Sequence, residues 1–90
     1  MGSSIRVKPA YLAEKLLAIR NKLDLSQTEI AGKLSDKMVK LRRSDISRYE
    51  IGLREPSLIV LLRYARLGSV TMEMLVDDDI ELSMFNKQLK

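Results

Sequence analysis

The chain is 90 residues long, which fits one domain with a single modest core and leaves no room within these residues for a second. It contains no histidine and no cysteine, which excludes disulfides, thiolate zinc sites and the commonest general base, so we expect no enzyme, no metal and no cofactor. The formal net charge is +4, and the apolar stretches are far shorter than the ~20 residues of a membrane span, so we expect a soluble cytoplasmic protein with no membrane partner.

The charge is distributed unevenly along the chain. Residues 33–54 carry seven basic side chains against three acidic ones, whereas residues 71–90 carry five acidic side chains against two basic ones. A basic centre with an acidic end indicates a surface that faces a polyanion, with the C-terminal tail kept away from it. A solvated surface of mixed charge is the alternative.

The first helix is predicted over residues 9–23. Pro9 suits its first turn, because the N–H that proline lacks would go unpaired there. The apolar side chains of this segment recur every three or four positions, which predicts one buried stripe. They are Leu12, Leu16, Ile19 and Leu23.

The second helix has a well-marked start. Ser26 and Glu29 have the spacing of a capping box, in which each side chain pairs with the backbone N–H of the other residue. The helix is predicted to continue to Leu34. Gly32 within it either lets a partner helix approach closely or is simply a weak point of the helix.

Residues 35–43 are largely polar and show no clear period, so they are predicted to form a loop with room for an extra helical turn. A third helix is predicted over residues 44–51. Ile46 and Tyr49 should point into the core, and Gly52 should end the helix in a left-handed conformation. The other side chains of this helix then face solvent or a partner.

The fourth helix is predicted to begin at residues 56–57 and to end at Gly68. A short fifth helix should follow a cap at Thr71, with Met72 and Leu75 contacting the core. The apolar stripe of the fourth helix is predicted to consist of Leu58, Leu61, Leu62 and Ala65.

These elements predict an all-α chain in three parts. Residues 1–8 are an N-terminal arm or cloning remnant, residues 9–76 a compact five-helix domain, and residues 77–90 an acidic tail. The tail has more apolar side chains than such a core needs, so we expect it to serve as a dimerisation segment, either as apolar contacts or as a short strand. The side chains concerned are Ile80, Leu82, Met84 and Phe85.

Several short motifs in this order resemble the Cro/C1-type helix-turn-helix family, also called the XRE family. The resemblance covers residues 12–76 and implies a lambda-repressor-like domain that binds double-stranded DNA as a homodimeric transcriptional regulator, an intracellular protein of bacterial or phage-like type. The sequence shows no sensor domain for a small molecule. The sequence departs from the family in the enlarged turn between the second and third helices. The motifs are Leu16, Arg20, the segment LSQTEIA at 25–31, the segment ISRYE at 46–50, Gly52 and Pro56-Ser57.

In this family the third helix lies in the major groove, which implies base-reading roles for exposed side chains at its start. We prefer Arg43 and Arg48, because an arginine can donate two hydrogen bonds to guanine, although either can hold a phosphate instead. Ser44 is either a base contact or a helix cap. The full candidate set is Arg43, Ser44, Ser47 and Arg48.

The resemblance also implies a backbone contact from Gln27 at the start of the second helix, unless it is an ordinary first-turn glutamine. The cations of the enlarged turn and the one after Gly52 are either phosphate contacts or solvated side chains. Arg20 and Glu50 resemble a family ion pair that ties the first helix to the third. The candidate phosphate contacts are Gln27, Lys37, Lys40, Arg42 and Arg54.

A protein-interaction module on the same scaffold, such as an antitoxin-like inhibitor or an adaptor, is the alternative function. Residues 71–85, which are acidic and contain methionine, are the expected docking surface in that case. The salt dependence of binding distinguishes the two functions. The affinity for DNA falls steeply with added salt, whereas the affinity of an apolar protein contact does not.

Overall fold

A computed structural model describes residues 8–81. Within them the chain forms five helices and no strands, which confirms the predicted all-α fold. None of these helices is long and apolar enough to span a bilayer. The helices are α1 (Leu12–Lys22), α2 (Gln27–Leu34), α3 (Arg43–Glu50), α4 (Leu58–Leu67) and α5 (Met72–Val76).

All five helices contribute to one core. Its most buried side chains come from all five helices, so each helix packs against the others through its own side chains. The end of α4 meets α1 so closely that a Cβ on Gly68 would lie 3.0 Å from Ile19 Cγ2. The fully buried apolar side chains are Leu16, Ile19, Ile30, Leu34, Ile46, Tyr64 and Leu75.

The predicted apolar stripe of α4 is partly wrong. Leu58 is 75% exposed, whereas Val60 and Tyr64 are buried. The side chain of Ser57 accepts a hydrogen bond from the Val60 backbone N–H, so the helix begins at Leu58. The buried face of this helix is then centred on positions 60–61 and 64–65, which confirms Leu61 and Ala65 of the predicted stripe but not Leu58.

The predicted capping box at the start of α2 is confirmed. The Glu29 backbone N–H donates to Ser26 Oγ (3.0 Å), and the Ser26 N–H donates to Glu29 Oε1 (2.8 Å). The hydrogen bond from the Ser26 backbone lowers the pKa of the Glu29 carboxyl. Gly52 has a φ of +78°, which confirms the left-handed end of α3. A Cβ on Gly32 would meet nothing within 4 Å, so close approach of a partner helix does not explain that glycine.

The enlarged turn comprises residues 35–42 and contains no helical turn, so the extra turn expected there is wrong. Ser35 Oγ donates to the carbonyl of Ala31 (2.7 Å) and accepts from the Leu41 N–H (2.9 Å). Val39 and Leu41 pack against the core. The two ends of the turn are therefore anchored to the domain.

Asp36 organises the middle of the enlarged turn. Its Oδ1 accepts hydrogen bonds from the backbone N–H groups of Met38 and Val39, both at 2.8 Å. Its Oδ2 accepts from Arg63 on α4 (2.7 Å), and Arg63 also donates to the carbonyl of Leu34 (2.9 Å). The backbone hydrogen bonds, from Val39 first, lower the pKa of the Asp36 carboxyl.

The start of α1 differs from the prediction, because the helix begins at Leu12 and Pro9 lies before it. The side chain of Tyr11, the N-cap residue, accepts no capping hydrogen bond. Asp78 supplies the acceptor instead, taking hydrogen bonds from the N–H groups of Ala10 (2.9 Å) and Tyr11 (3.2 Å). A carboxylate here also interacts favourably with the helix dipole.

Residues 77–81 thus pack on their own domain. The buried Lys15 Nζ donates to the carbonyls of Met74 and Asp77, both at 2.9 Å. Ile80 is half-buried and lies in a turn of this single chain. The predicted residues Leu82, Met84 and Phe85, and residues 1–7 of the predicted arm, lie outside the described residues.

Candidate nucleic-acid interface

The orientation of α3 is fixed by two inward side chains. Ile46 is fully buried and Tyr49 is 5% exposed, which confirms the prediction for both. The ring of Tyr49 meets that of Tyr64 on α4 edge to face, with centroids 6.5 Å apart and planes at 73°. Burial raises the pKa of both tyrosine hydroxyls. The opposite side of α3 is therefore turned away from the core.

The side chains at the start of α3 lie on this outward face. Arg43, Ser44 and Arg48 are exposed, and Ser47 is half-buried at the margin. Because α3 begins at Arg43, Ser44 lies inside the first turn and is not its N-cap, so the capping alternative for Ser44 is wrong. All four candidate base readers thus belong to one short helix.

Asp45 has an architectural role on this face. Its Oδ2 accepts from the backbone N–H of Arg42, the residue that precedes α3 (2.9 Å). Its Oδ1 lies 3.3 Å from Arg54 Nη1 and 4.0 Å from Arg48 Nη1. The carboxylate therefore fixes the helix start and holds Arg54, which follows the helix, beside α3.

Arg20 and Glu50 join α1 to the end of α3. Arg20 Nε lies 2.6 Å from Glu50 Oε2, and Nη2 lies 3.0 Å from Oε1, so the contact is bidentate. Arg20 Nη1 also donates to the carbonyl of Leu25 (3.0 Å). The two side chains are 17% and 5% exposed, and the hydrogen bond to Glu50 raises the pKa of the Arg20 guanidinium.

Gln27, the first residue of α2, bridges this ion pair to the outward face. Its Nε2 donates to Glu50 Oε1 (3.0 Å), and its Oε1 accepts from Arg43 Nη1 (3.2 Å). The link between Gln27 and Arg43 was not predicted from the sequence. Local spacing carries no signal for it, because the two residues are 16 positions apart and on different helices.

The remaining candidate cations surround the start of α3. Lys37 and Lys40 are exposed on the enlarged turn, and Arg42 is exposed immediately before α3. Arg54 follows the left-handed end of the helix, and its side chain is 60% exposed while it contacts Asp45. Within residues 8–81 no group of acidic side chains has the arrangement of a metal site. The residues before α3 and after its end thus carry several exposed cations.

A family model described as helix-turn-helix matches residues 16–75, a span that runs from the middle of α1 to the last turn of α5 and includes every candidate contact residue. Comparisons with curated proteins and with solved structures gave no match.

Proposed function

The chain belongs to the Cro/C1-type (XRE) helix-turn-helix family, and we propose that it binds double-stranded DNA sequence-specifically, inside the cell, as a transcriptional regulator. The observation that carries the proposal is the orientation of α3. Ile46 and Tyr49 hold its inner side, and the outer side presents Arg43, Ser44 and Arg48 to the surroundings. A helix of this kind fits the major groove, where its exposed side chains meet base edges.

Arg43 and Arg48 are the proposed principal base readers, since a guanidinium can donate to guanine O6 and N7 together. Arg48 lies 4.0 Å from Asp45, a loose contact that leaves the side chain able to turn toward a base. Ser44 and Ser47 are shorter and supply single hydrogen bonds at the same surface. Arg43 is held by Gln27 before DNA arrives, which reduces the entropy lost on binding.

Phosphate contacts are proposed for the start of α2 and for the cations around α3. The helix terminus presents backbone N–H groups that suit a phosphate, with Gln27 beside them. The candidate cations lie on both sides of the start of α3 in the chain. They are Lys37, Lys40, Arg42 and Arg54.

The test is selection from random duplex DNA with the full chain, followed by titration of the enriched duplex at several salt concentrations. We expect one enriched motif, and an affinity that falls linearly on a log–log plot with salt, by a slope of about −0.9 per phosphate contact. The proposal fails if no motif is enriched, or if salt leaves the affinity unchanged. Absence of measurable duplex binding would favour the alternative of a protein-interaction module.

We further propose that the protein acts as a homodimer, because one recognition helix covers only a half-site. In the described part of the predicted dimerisation segment, residues 77–81, Asp78 is bound to the start of α1 and Ile80 is half-buried, so these residues serve their own domain. Exposed large apolar side chains concentrate instead around the α3–α4 connection. This apolar corner consists of Ile51, Leu53, Leu58 and Ile59, each more than half exposed.

Two variants distinguish the two surfaces. Truncation after Glu81 keeps the contacts of Asp78 with α1 and removes only the end of the tail, whereas Leu58→Ser with Ile59→Ser makes the apolar corner polar. Sedimentation of each variant is compared with that of the full chain. If only the serine variant becomes monomeric, the apolar corner carries the dimer; if only the truncated chain does, the tail carries it. A monomeric parent chain that binds single half-sites would overturn the dimer.

A further inference from the structure

Met38 is an apolar side chain in an unusual position. It is 88% exposed, more than any other large exposed apolar residue of the described chain. It lies at the tip of the enlarged turn between Lys37 and Lys40, which are both exposed. Val39 and Leu41 of the same turn pack against the core, so the turn sorts its apolar side chains into two that are covered and one that is not.

The backbone around Met38 is held in place. Its own N–H donates to Asp36, and the same carboxylate is bound by Arg63, which reaches across from α4. Ser35 fixes the two ends of the turn through its hydrogen bonds to Ala31 and Leu41. The exposed side chain is therefore presented on a fixed support, and ordering it on contact with a partner costs little backbone entropy.

The enlarged turn leads directly into the recognition helix. Four positions separate Met38 from Arg42, so their Cα atoms are at most about 14 Å apart at full extension. A duplex that meets Arg43 and Ser44 therefore passes within reach of the long side chains of this turn. The exposed cations of the turn therefore lie close in the chain to those at the start of α3.

We propose that the enlarged turn is a second DNA-contacting element, in which Met38 makes an apolar contact beside the phosphates already proposed for Lys37 and Lys40. This inference rests on the proposed DNA-binding function. The apolar group that Met38 meets is either a thymine methyl in the major groove or the carbon face of a deoxyribose. Both are apolar surfaces next to phosphates, which matches the arrangement of one methionine between two lysines.

The lysines are tested by salt dependence. The variant Lys37→Gln/Lys40→Gln is titrated with the duplex enriched from random DNA, and its log–log salt slope should be shallower than that of the parent chain by about 1.8, or 0.9 for each lost contact. Lys22→Gln is the matched control, since it removes an exposed cation from the end of α1 and should leave the slope unchanged. An unchanged slope in the double variant overturns the phosphate contacts.

Met38 is tested separately by Met38→Gln, which keeps the length of the side chain and replaces its apolar end. We expect several-fold weaker binding with an unchanged salt slope, because an apolar contact releases no counterions. Val76→Ala, a change at another exposed apolar residue, is the control and should bind as the parent does. Parent-like affinity of Met38→Gln overturns the apolar contact.

A duplex with deoxyuridine in place of thymidine identifies the group that Met38 meets. If the parent chain binds the deoxyuridine duplex more weakly than the thymidine duplex, whereas Met38→Gln binds the two equally, the contact is a thymine methyl. If both proteins bind the two duplexes equally, the contact is deoxyribose. Failure of this inference differs from failure of the proposed function. If the DNA affinity of the parent falls steeply with salt but the turn variants bind as the parent does, only the inference about the turn is refuted. If the DNA affinity of the parent does not depend on salt, both the inference and the proposed function are refuted.

Discussion

Loss of Arg20 should strand a buried carboxylate. The Glu50 side chain is only 5% exposed and receives two of its three hydrogen bonds from Arg20, the third coming from Gln27. Removing one member of a buried pair costs ~3 to 5 kcal/mol, and the partial exposure of Arg20 places this case near 3 kcal/mol. For a domain of this size that corresponds to a melting temperature lower by roughly 12 °C or more. We therefore expect Arg20→Ala to be among the most damaging substitutions outside the core.

A double-mutant cycle with Glu50→Gln measures the coupling. The double variant no longer contains a stranded charge, so its free energy of unfolding should fall by less than the sum of the single losses, with a coupling of about 1 to 3 kcal/mol. Urea denaturation of the full chain at neutral pH supplies the values, and Arg66→Ala, at an exposed position of α4, serves as control with an expected change below ~0.5 kcal/mol. Additive effects would refute the reasoning.

Three further predictions concern single side chains. Arg48→Ala should weaken specific DNA binding by ~1 to 3 kcal/mol and relax the preference at one base position per half-site; competition with single-base variants checks this, and equal loss on all sequences would assign Arg48 to the backbone. Tyr64→Phe should raise the melting temperature, because the buried hydroxyl of Tyr64 has no hydrogen-bond partner among the described residues and burying such a group costs ~1 to 3 kcal/mol; a lower melting temperature would contradict this. Asp36→Asn should reduce stability at neutral pH, and the difference from the parent should shrink in acid. The pKa of Asp36 is lowered from 3.8, so its contribution is present above that value and is lost as the pH falls through the lowered pKa; a difference that stays constant from pH 7 to pH 2 would exclude this role.

The sequence predicted the helix starts best where the cap is local. Ser26 and Glu29 are three positions apart, and Thr71 bonds to the N–H of Met74, so short-range spacing contains all the necessary information. The start of α1 was mispredicted because its acceptor is Asp78, 67 positions from Tyr11. Pro9 carried the local signal, and tertiary contact overrode it.

The enlarged turn shows the same limit. Its polar sequence predicted a loop, and a loop is present, but the contact that orders it joins Asp36 to Arg63, 27 positions away on α4. No periodicity or composition contains such a pair. What distinguishes a turn held by side-chain contacts from an unsupported loop is therefore available only from the fold.

The candidate site combines residues that the sequence assigned to DNA contacts with one that it assigned to the architecture. The sequence assigned Gln27 and Arg43 to separate DNA contacts and Glu50 to the architecture, whereas the structure joins all three in one hydrogen-bonded chain. Gln27 accepts from Arg43 through its oxygen only while its amide nitrogen points at Glu50, because the two ends of an amide are fixed relative to each other. The carboxylate that receives Arg20 thus also sets which end of Gln27 faces Arg43. It follows that the orientation of a proposed base reader depends on a buried ion pair at the opposite end of α3.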